Sequence, residues 1–262
     1  MYNLKNLFIA FVIISAFLAG CGTNAFQSMD SKNSREAKDL EVTKKLDNRD
    51  YDAILSDPGK ANATDYAAAA MGKAGLDPVD LISTLNKIAD ARNKNDLSAV
   101  TSLKLNPDAL DKLQTAKQKL QAELDNDPTN KDLNFQMVMT SLTSTITAIA
   151  QVGATNGITV TDGIDSTEAT TLATKIDSTT QVDTDGDGVG DTNLTTLIAN
   201  DVVKVGTSLP NASLGTDSQL NHVLTDATTG PKSINYDGTG DVTDQDVNKY
   251  MKCVIGTGGT GC

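Results

Sequence analysis

Two segments in the C-terminal part of the chain carry oxygen-bearing side chains at alternate positions. In the first loop, Asp183, Asp185 and Asp187 alternate with other residues, and Asp191 follows after a glycine-rich turn. Four carboxylates so close together would repel one another strongly without a cation. Ca²⁺ takes six to eight oxygen ligands, including main-chain carbonyls such as that of Val189. The first loop therefore predicts a calcium site, and an Asp-Gly-rich turn that binds no metal is the alternative.

The second segment runs from Asn235 to Asp246 and offers oxygen ligands at the positions of a twelve-residue calcium loop. The predicted ligands are Asn235, Asp237, Thr239, the carbonyl of Asp241, Thr243 through a water, and Asp246. Gly240 occupies position 6, where the backbone must turn sharply. This loop resembles the EF-hand, and with Asp rather than Glu at position 12 it leans to the dockerin-like variant.

The first loop departs from the EF-hand pattern at two positions. Leu194 stands at position 12, where the closing acid would be, and Gly190 stands at position 8. The alternation of Asp residues before a glycine is similar to the loops of thrombospondin type 3 repeats. A shift of 52 residues overlays Asp183 on Asn235, which is consistent with an internal duplication.

The residues before these loops, from about Ser34 to Val152, have a helical pattern. Breaks fall where Asn or Asp precedes Pro, and such a pair is a helix start with a side-chain cap. These pairs are Asp57-Pro58, Asp77-Pro78, Asn106-Pro107 and Asp127-Pro128. Apolar residues at helical spacing predict two packing faces. One contains Leu110, Leu113, Leu120 and Leu124, and the other contains Phe135, Met139, Leu142, Ile146 and Ile149.

Residues 49–54 and 66–70 resemble the paired helices of tetratricopeptide-like repeats, where an aromatic residue packs on small residues of the next helix. After Gly153 the composition shifts toward Gly, Thr, Asn and Asp. We therefore expect a mainly α protein, with an N-terminal helical hairpin or solenoid-like bundle followed by a small helical EF-hand-like calcium-loop domain. The expected divisions are a helical domain at residues 35–155 and a calcium-loop domain at residues 156–262.

The start of the chain predicts export. Lys5 gives a positive front, and the apolar run Leu7–Leu18 is too short to span about 30 Å of hydrocarbon as a helix. This is the layout of a secretory signal. The sequence Leu18-Ala19-Gly20-Cys21 resembles the lipobox of bacterial lipoproteins, which implies a signal peptide at residues 1–20 and acylation of Cys21. An ordinary secretory signal with a chance cysteine is the alternative.

The family resemblance also bears on location. Gly22 follows the cysteine, and in Gram-negative lipoproteins the absence of Asp there implies the outer membrane. Residues 21–34 are polar and predict a flexible tether. With Cys21 acylated, Cys253 and Cys262 are the other two cysteines. An exported protein is in an oxidising compartment, and the glycine-rich segment between these cysteines favours a disulfide. A redox pair of the CxxC kind has a different spacing.

Composition restricts the partners. The formal net charge of −12 argues against nucleic acid, which requires a basic face, and suits divalent cations. No nucleophile, base or phosphate-binding pattern stands out, so we expect no enzyme. The expected function is a calcium-binding outer-membrane lipoprotein that serves as a non-enzymatic protein-interaction or scaffold module, with an envelope protein as partner. The alternatives are a subunit of an envelope export or assembly machine in which calcium is only structural, and an exported hydrolase that uses carboxylates.

Overall fold

The structure is a computed structural model, and it describes residues 35–76, 105–159, 168, 171–172, 175–176 and 179–212. These residues form six α-helices and two short strands, which confirms the expected mainly α class. The helices are α1 (Arg35–Asp47), α2 (Tyr51–Leu55), α3 (Ala63–Lys73), α4 (Leu110–Leu124), α5 (Lys131–Thr155) and α6 (Leu194–Ser208). The strands are β1 (Gln181–Val182) and β2 (Thr192–Asn193).

The chain divides into two compact units, Met1–Asn48 and Arg49–Cys262. In the first unit, α1 carries an i,i+4 ion pair between Glu41 and Lys45, with 2.7 Å between the charged atoms. A pair of this kind stabilises an exposed helix by about 0.3–0.5 kcal/mol. All other described elements belong to the second unit, so the domain boundary expected at residues 155/156 lies inside that unit.

Asparagine side chains cap three helices of the second unit, α3, α5 and α6. Asn62 accepts a hydrogen bond from the Asp65 N–H at 2.8 Å, and Asn130 accepts one from the Leu133 N–H at 3.2 Å. Each caps an orphan donor of the first turn. The prediction of a helix start was correct at Asn106-Pro107, which opens a 3₁₀ turn leading into α4.

Two other Pro pairs form turns rather than helix starts. After Asp57-Pro58 the helix α3 begins only at Ala63, and after Asp127-Pro128 the helix α5 begins only at Lys131. The Asp127 carboxylate accepts hydrogen bonds from the side chains of Thr129 and Asn130, which hold a turn before the cap. The pair Asp77-Pro78 lies outside the described residues.

The apolar face predicted for α4 is buried as expected, and it packs between α3 and α5. In the hairpin of α2 and α3, the Tyr51 ring lies directly on Gly72. A Cβ atom at Gly72 would come within 2.3 Å of the Tyr51 ring. An aromatic residue thus packs on a small residue of the next helix, while the tetratricopeptide resemblance itself stays a prediction.

The face predicted for α5 differs from the one observed. Met139 is buried, but the other four members of the stripe are only half-buried. The buried positions include small polar and apolar residues, namely Thr140, Ser141, Thr143, Ser144, Thr147, Ala148 and Ala150. The reason is that α3, α4 and α6 all contact α5, so the helix is enclosed on more than one side. Small side chains allow these neighbours to approach closely.

Among the described helices, α5 alone is long and apolar enough by composition to cross a membrane, but 67% of its most apolar window is buried. It is therefore the central helix of the second unit. The strands β1 and β2 pair antiparallel, with Gln181 opposite Asn193 and Val182 opposite Thr192. The hairpin that they form leads directly into α6, which packs on α5.

Candidate metal centre

The loop between β1 and β2 contains the first predicted calcium ligands, and the Asp183 carboxylate organises it. One of its oxygens accepts hydrogen bonds from the N–H groups of Asp185 at 3.2 Å and Gly186 at 2.6 Å. Its other oxygen accepts one from the Gly188 N–H at 2.7 Å. Gly186 and Gly188 have backbone φ angles of 83° and 87°, which residues other than glycine rarely adopt. The loop therefore curls around its first residue.

The curl brings three predicted ligands together. One carboxylate oxygen each from Asp183, Asp185 and Asp187 lies within 4.8 Å of the other two. Asp185 and Asp187 are exposed, and Asp183 is half-buried. Carboxylate oxygens are the ligands that Ca²⁺ and Mg²⁺ prefer, so the donor set fits a hard divalent cation.

The electrostatics of the cluster differ between its members. Burial raises the pKa of Asp183, but the N–H groups of Gly186, Gly188 and Asp185 outweigh it and hold that pKa below its ordinary value. For Asp185, the N–H of Asp187 lowers the pKa, but desolvation and the neighbouring carboxylates together raise it above its ordinary value. In this cluster, backbone N–H groups stabilise the charged form of Asp183, whereas the neighbouring carboxylates disfavour the charged form of Asp185.

Asp191, predicted at position 9, does not join the group of three. Its carboxylate accepts hydrogen bonds from the Thr184 N–H at 3.0 Å and from the Thr184 hydroxyl at 2.8 Å. These bonds lower the pKa of Asp191 against the opposing effect of burial. Asp191 therefore ties the two sides of the loop together. The N–H of Val189 donates to the Asp187 carboxylate at 2.8 Å, and a ligand role for the Val189 carbonyl stays a prediction.

Position 12 of the loop belongs to the core rather than to the site. Leu194 is fully buried as the first residue of α6, and its N–H donates to the Thr180 carbonyl at 2.9 Å. The preceding Asn193 uses its side-chain oxygen to cap α6 through the Thr195 N–H at 3.0 Å. The position of the closing acid is thus occupied by a core residue at the start of a helix.

The structure adds Gln151, Asp108 and Asp111, which local sequence patterns did not indicate. Gln151, 32 positions before the loop, pairs with the backbone of Asp183. Asp108, Asp111 and Gln151 line a cavity of about 180 Å³ together with residues of the loop. A Cβ atom at Gly186 would lie 3.1 Å from the Asp111 carboxylate. No periodicity in the sequence indicates this proximity, because it arises from the packing of α4 and α5 beside the hairpin.

The remaining predicted positions lie outside the described residues. These are the second loop from Asn235 to Asp246, the lipidation site Cys21 and the cysteines Cys253 and Cys262. No protein-family model, curated protein or solved structure matches the chain. The local resemblances therefore stay predictions.

Proposed function

We propose that this protein is a calcium-binding lipoprotein of the outer membrane that acts as a non-enzymatic protein-interaction or scaffold module. The observation that carries the calcium part is the convergence of the Asp183, Asp185 and Asp187 carboxylates within 4.8 Å. Three such charges repel one another unless a cation neutralises them. The predicted acyl chains on Cys21 would anchor the protein to the membrane, and the acidic composition disfavours nucleic acid as a partner.

The donor set favours calcium over transition metals because it contains hard oxygen ligands. Asp183, Asp185 and Asp187 would hold the ion, with water or main-chain carbonyls in the remaining positions. Ca²⁺ accepts such irregular shells more readily than Mg²⁺, which demands octahedral geometry at about 2.0–2.1 Å. The bound ion would neutralise the loop and stabilise its curled conformation.

One feature favours the second candidate function, a subunit of an envelope export or assembly machine in which calcium is only structural. Both ends of the loop are fixed to the core, by Gln151 at Asp183 and by the buried Leu194 at the start of α6. An ion held there would mainly stabilise the fold. Recovery of the same outer-membrane partner from membranes with and without chelator would favour this candidate, whereas a partner lost in chelator would favour the first.

Thermal melting of the full chain in detergent tests calcium binding. Loops of extracellular proteins bind calcium with dissociation constants of about 10⁻⁴–10⁻³ M. At a hundredfold excess over the dissociation constant, one site adds about 2.7 kcal/mol to the free energy of unfolding. We expect a higher melting temperature in 10 mM calcium than in chelator, and a smaller increase in magnesium.

A matched variant makes this test specific to the loop. The double replacement Asp185→Asn with Asp187→Asn removes two charges and keeps side-chain oxygens for the loop hydrogen bonds. In the Asp246→Ala background, where the first loop is the sole predicted site, this variant should lose the calcium-induced increase. An equal melting temperature in calcium and in chelator for the unmodified chain would contradict the proposal.

A further inference from the structure

Gln151 makes a two-bond contact with the first residue of the loop. The Asp183 N–H donates to the Gln151 side-chain oxygen at 2.7 Å, and the Gln151 side-chain amide donates to the Asp183 carbonyl at 3.2 Å. The two bonds together fix the orientation of the amide, because exchanging its oxygen and nitrogen would break both. Gln151 is half-buried near the end of α5, the central helix of the unit.

Asp183 is the residue on which the curl of the loop depends. Its carboxylate accepts hydrogen bonds from the N–H groups of Asp185, Gly186 and Gly188. A rotation of the Asp183 backbone would therefore move the carboxylate away from all three donors. A free loop would have to pay chain entropy and charge repulsion to bring its carboxylates together. An anchor at Asp183 reduces the entropic part of this cost before any ion arrives.

We infer that Gln151 is a positioning residue for the cation loop, an inference that rests on the proposed calcium function. Gln151 does not contact the ion; it holds the backbone from which the Asp183 carboxylate projects. Because linkage is reciprocal, an ion in the loop also stabilises the contact between the loop and α5. Calcium would therefore strengthen the attachment of the hairpin to the central helix.

The replacement Gln151→Met tests this inference, since it keeps length and removes both hydrogen bonds. Gln136→Met is the matched control, because Gln136 is a half-buried glutamine on the same helix, and its buried side-chain oxygen has no hydrogen-bond partner among the described residues. Both replacements are placed in the full chain with Asp246→Ala. Calcium affinity is measured by calorimetry, and the melting temperature is measured in chelator.

We expect Gln151→Met to weaken calcium binding about tenfold, in line with the loss of two hydrogen bonds, while Gln136→Met leaves the affinity unchanged. The melting temperature in chelator should fall in Gln151→Met, which loses two hydrogen bonds, and not in Gln136→Met, whose side-chain oxygen has no partner in the described part of the chain. A purely structural role would lower the melting temperature of Gln151→Met in the same way but leave its calcium affinity intact, so the affinity decides. If Gln151→Met does not fold, Gln151→Asn serves, because it keeps the amide but shortens its reach.

The outcomes distinguish the calcium function of the loop from the positioning role of Gln151. Absence of calcium binding in the Asp246→Ala chain itself would overturn the calcium function at this loop, and the inference with it. Calcium binding that is equally tight in Gln151→Met would overturn the inference alone. Equal weakening by both Met replacements would also overturn it, because the effect would then come from a general change in α5.

Discussion

Lys117 of α4 forms an ion pair with Asp201 of α6 in the core of the second unit, with 6% and 1% of the two side chains exposed. The Lys117 ammonium also donates to the Ser144 hydroxyl at 3.1 Å, and the Thr145 hydroxyl donates to the Asp201 carboxylate at 3.3 Å. Both hydroxyls come from α5, so the pair joins three helices. A buried charge is tolerated only with such partners.

Removing one partner of this pair should destabilise the protein much more than removing both. Each of the replacements Lys117→Met and Asp201→Leu leaves an uncompensated buried charge. Each should lower the unfolding free energy by about 3–5 kcal/mol. The double replacement should cost less than either single one, because no charge remains to be buried. Denaturant unfolding of the four proteins measures the coupling.

The exposed pair of Asp57 and Lys60 supplies the control. The side chains of Asp57 and Lys60 are 47% and 82% exposed, so Lys60→Met should leave the unfolding free energy almost unchanged. Additive losses at Lys117 and Asp201 would contradict the account of a coupled buried pair.

The loss of unfolding free energy caused by Lys117→Met should be smaller at acidic pH. Burial raises the pKa of Asp201, and Lys117 acts against that rise, so the variant should have a still higher pKa at Asp201. A carboxyl whose folded pKa exceeds its unfolded value of about 3.9 gains folding stability as the pH falls from its folded pKa to that value. Unfolding free energies of Lys117→Met and Asp201→Leu at pH 7 and pH 5 would measure this, since only the first keeps the carboxyl. An equal penalty at both pH values would contradict it.

The sequence pattern predicted those features of the fold that depend on residues close together in the chain. The mainly α class, the buried leucine face of α4 and the start at Asn106-Pro107 follow from spacing and capping chemistry. The face of α5 could not be predicted in the same way, because it depends on how many helices surround it. The buried Lys117–Asp201 pair joins residues 84 positions apart, and nothing in the local pattern of either helix indicates the other.

The candidate site divides in the same manner. The alternation of Asp183, Asp185 and Asp187 was enough to predict that they converge. The role of Asp191 was not predictable, because it depends on the hydroxyl of Thr184 across the loop. The contribution of Gln151 depends on the packing of α5 beside the hairpin.

The same Gly→Ala change should have opposite effects at two exposed glycines. Gly188 has a φ of 87° with nothing within 4 Å of an added Cβ, so Gly188→Ala should cost about 1–2 kcal/mol through backbone conformation alone. Gly206 lies inside α6, also with nothing within 4 Å, so Gly206→Ala should add about 0.5–1 kcal/mol. Denaturant unfolding in chelator compares them. Stabilisation by Gly188→Ala would show that the loop adopts another conformation.

Lipidation should depend on a single thiol. Cys21→Ser should block acylation and leave a protein that keeps its leader, because the lipobox resemblance implies that cleavage follows modification of Cys21. Uptake of labelled palmitate and the mass of the membrane-associated protein measure this. Cys253→Ser is the control and should be acylated normally. Labelled palmitate in the Cys21→Ser protein would show that the assignment is wrong.

The acidic residues of the two loops should contribute unequally to calcium binding. Asp185→Ala removes a carboxylate from the converging group and should weaken the first loop about tenfold or more. Asp191→Ala breaks the contact with Thr184 and should lower the stability of the loop more than its calcium affinity. Asp246→Ala should abolish the second predicted site and leave the first intact. Calorimetry and melting in chelator on the three variants separate these effects.

Three results would contradict this division of roles. Equal loss of affinity in Asp185→Ala and Asp191→Ala would place Asp191 among the ligands, as the spacing alone predicts. Loss of all calcium binding in Asp185→Ala would mean that the two loops form one coupled site. An unchanged binding isotherm in Asp246→Ala would show that the EF-hand resemblance of the second loop does not extend to its closing ligand, since a bidentate acid at position 12 completes the shell in that family.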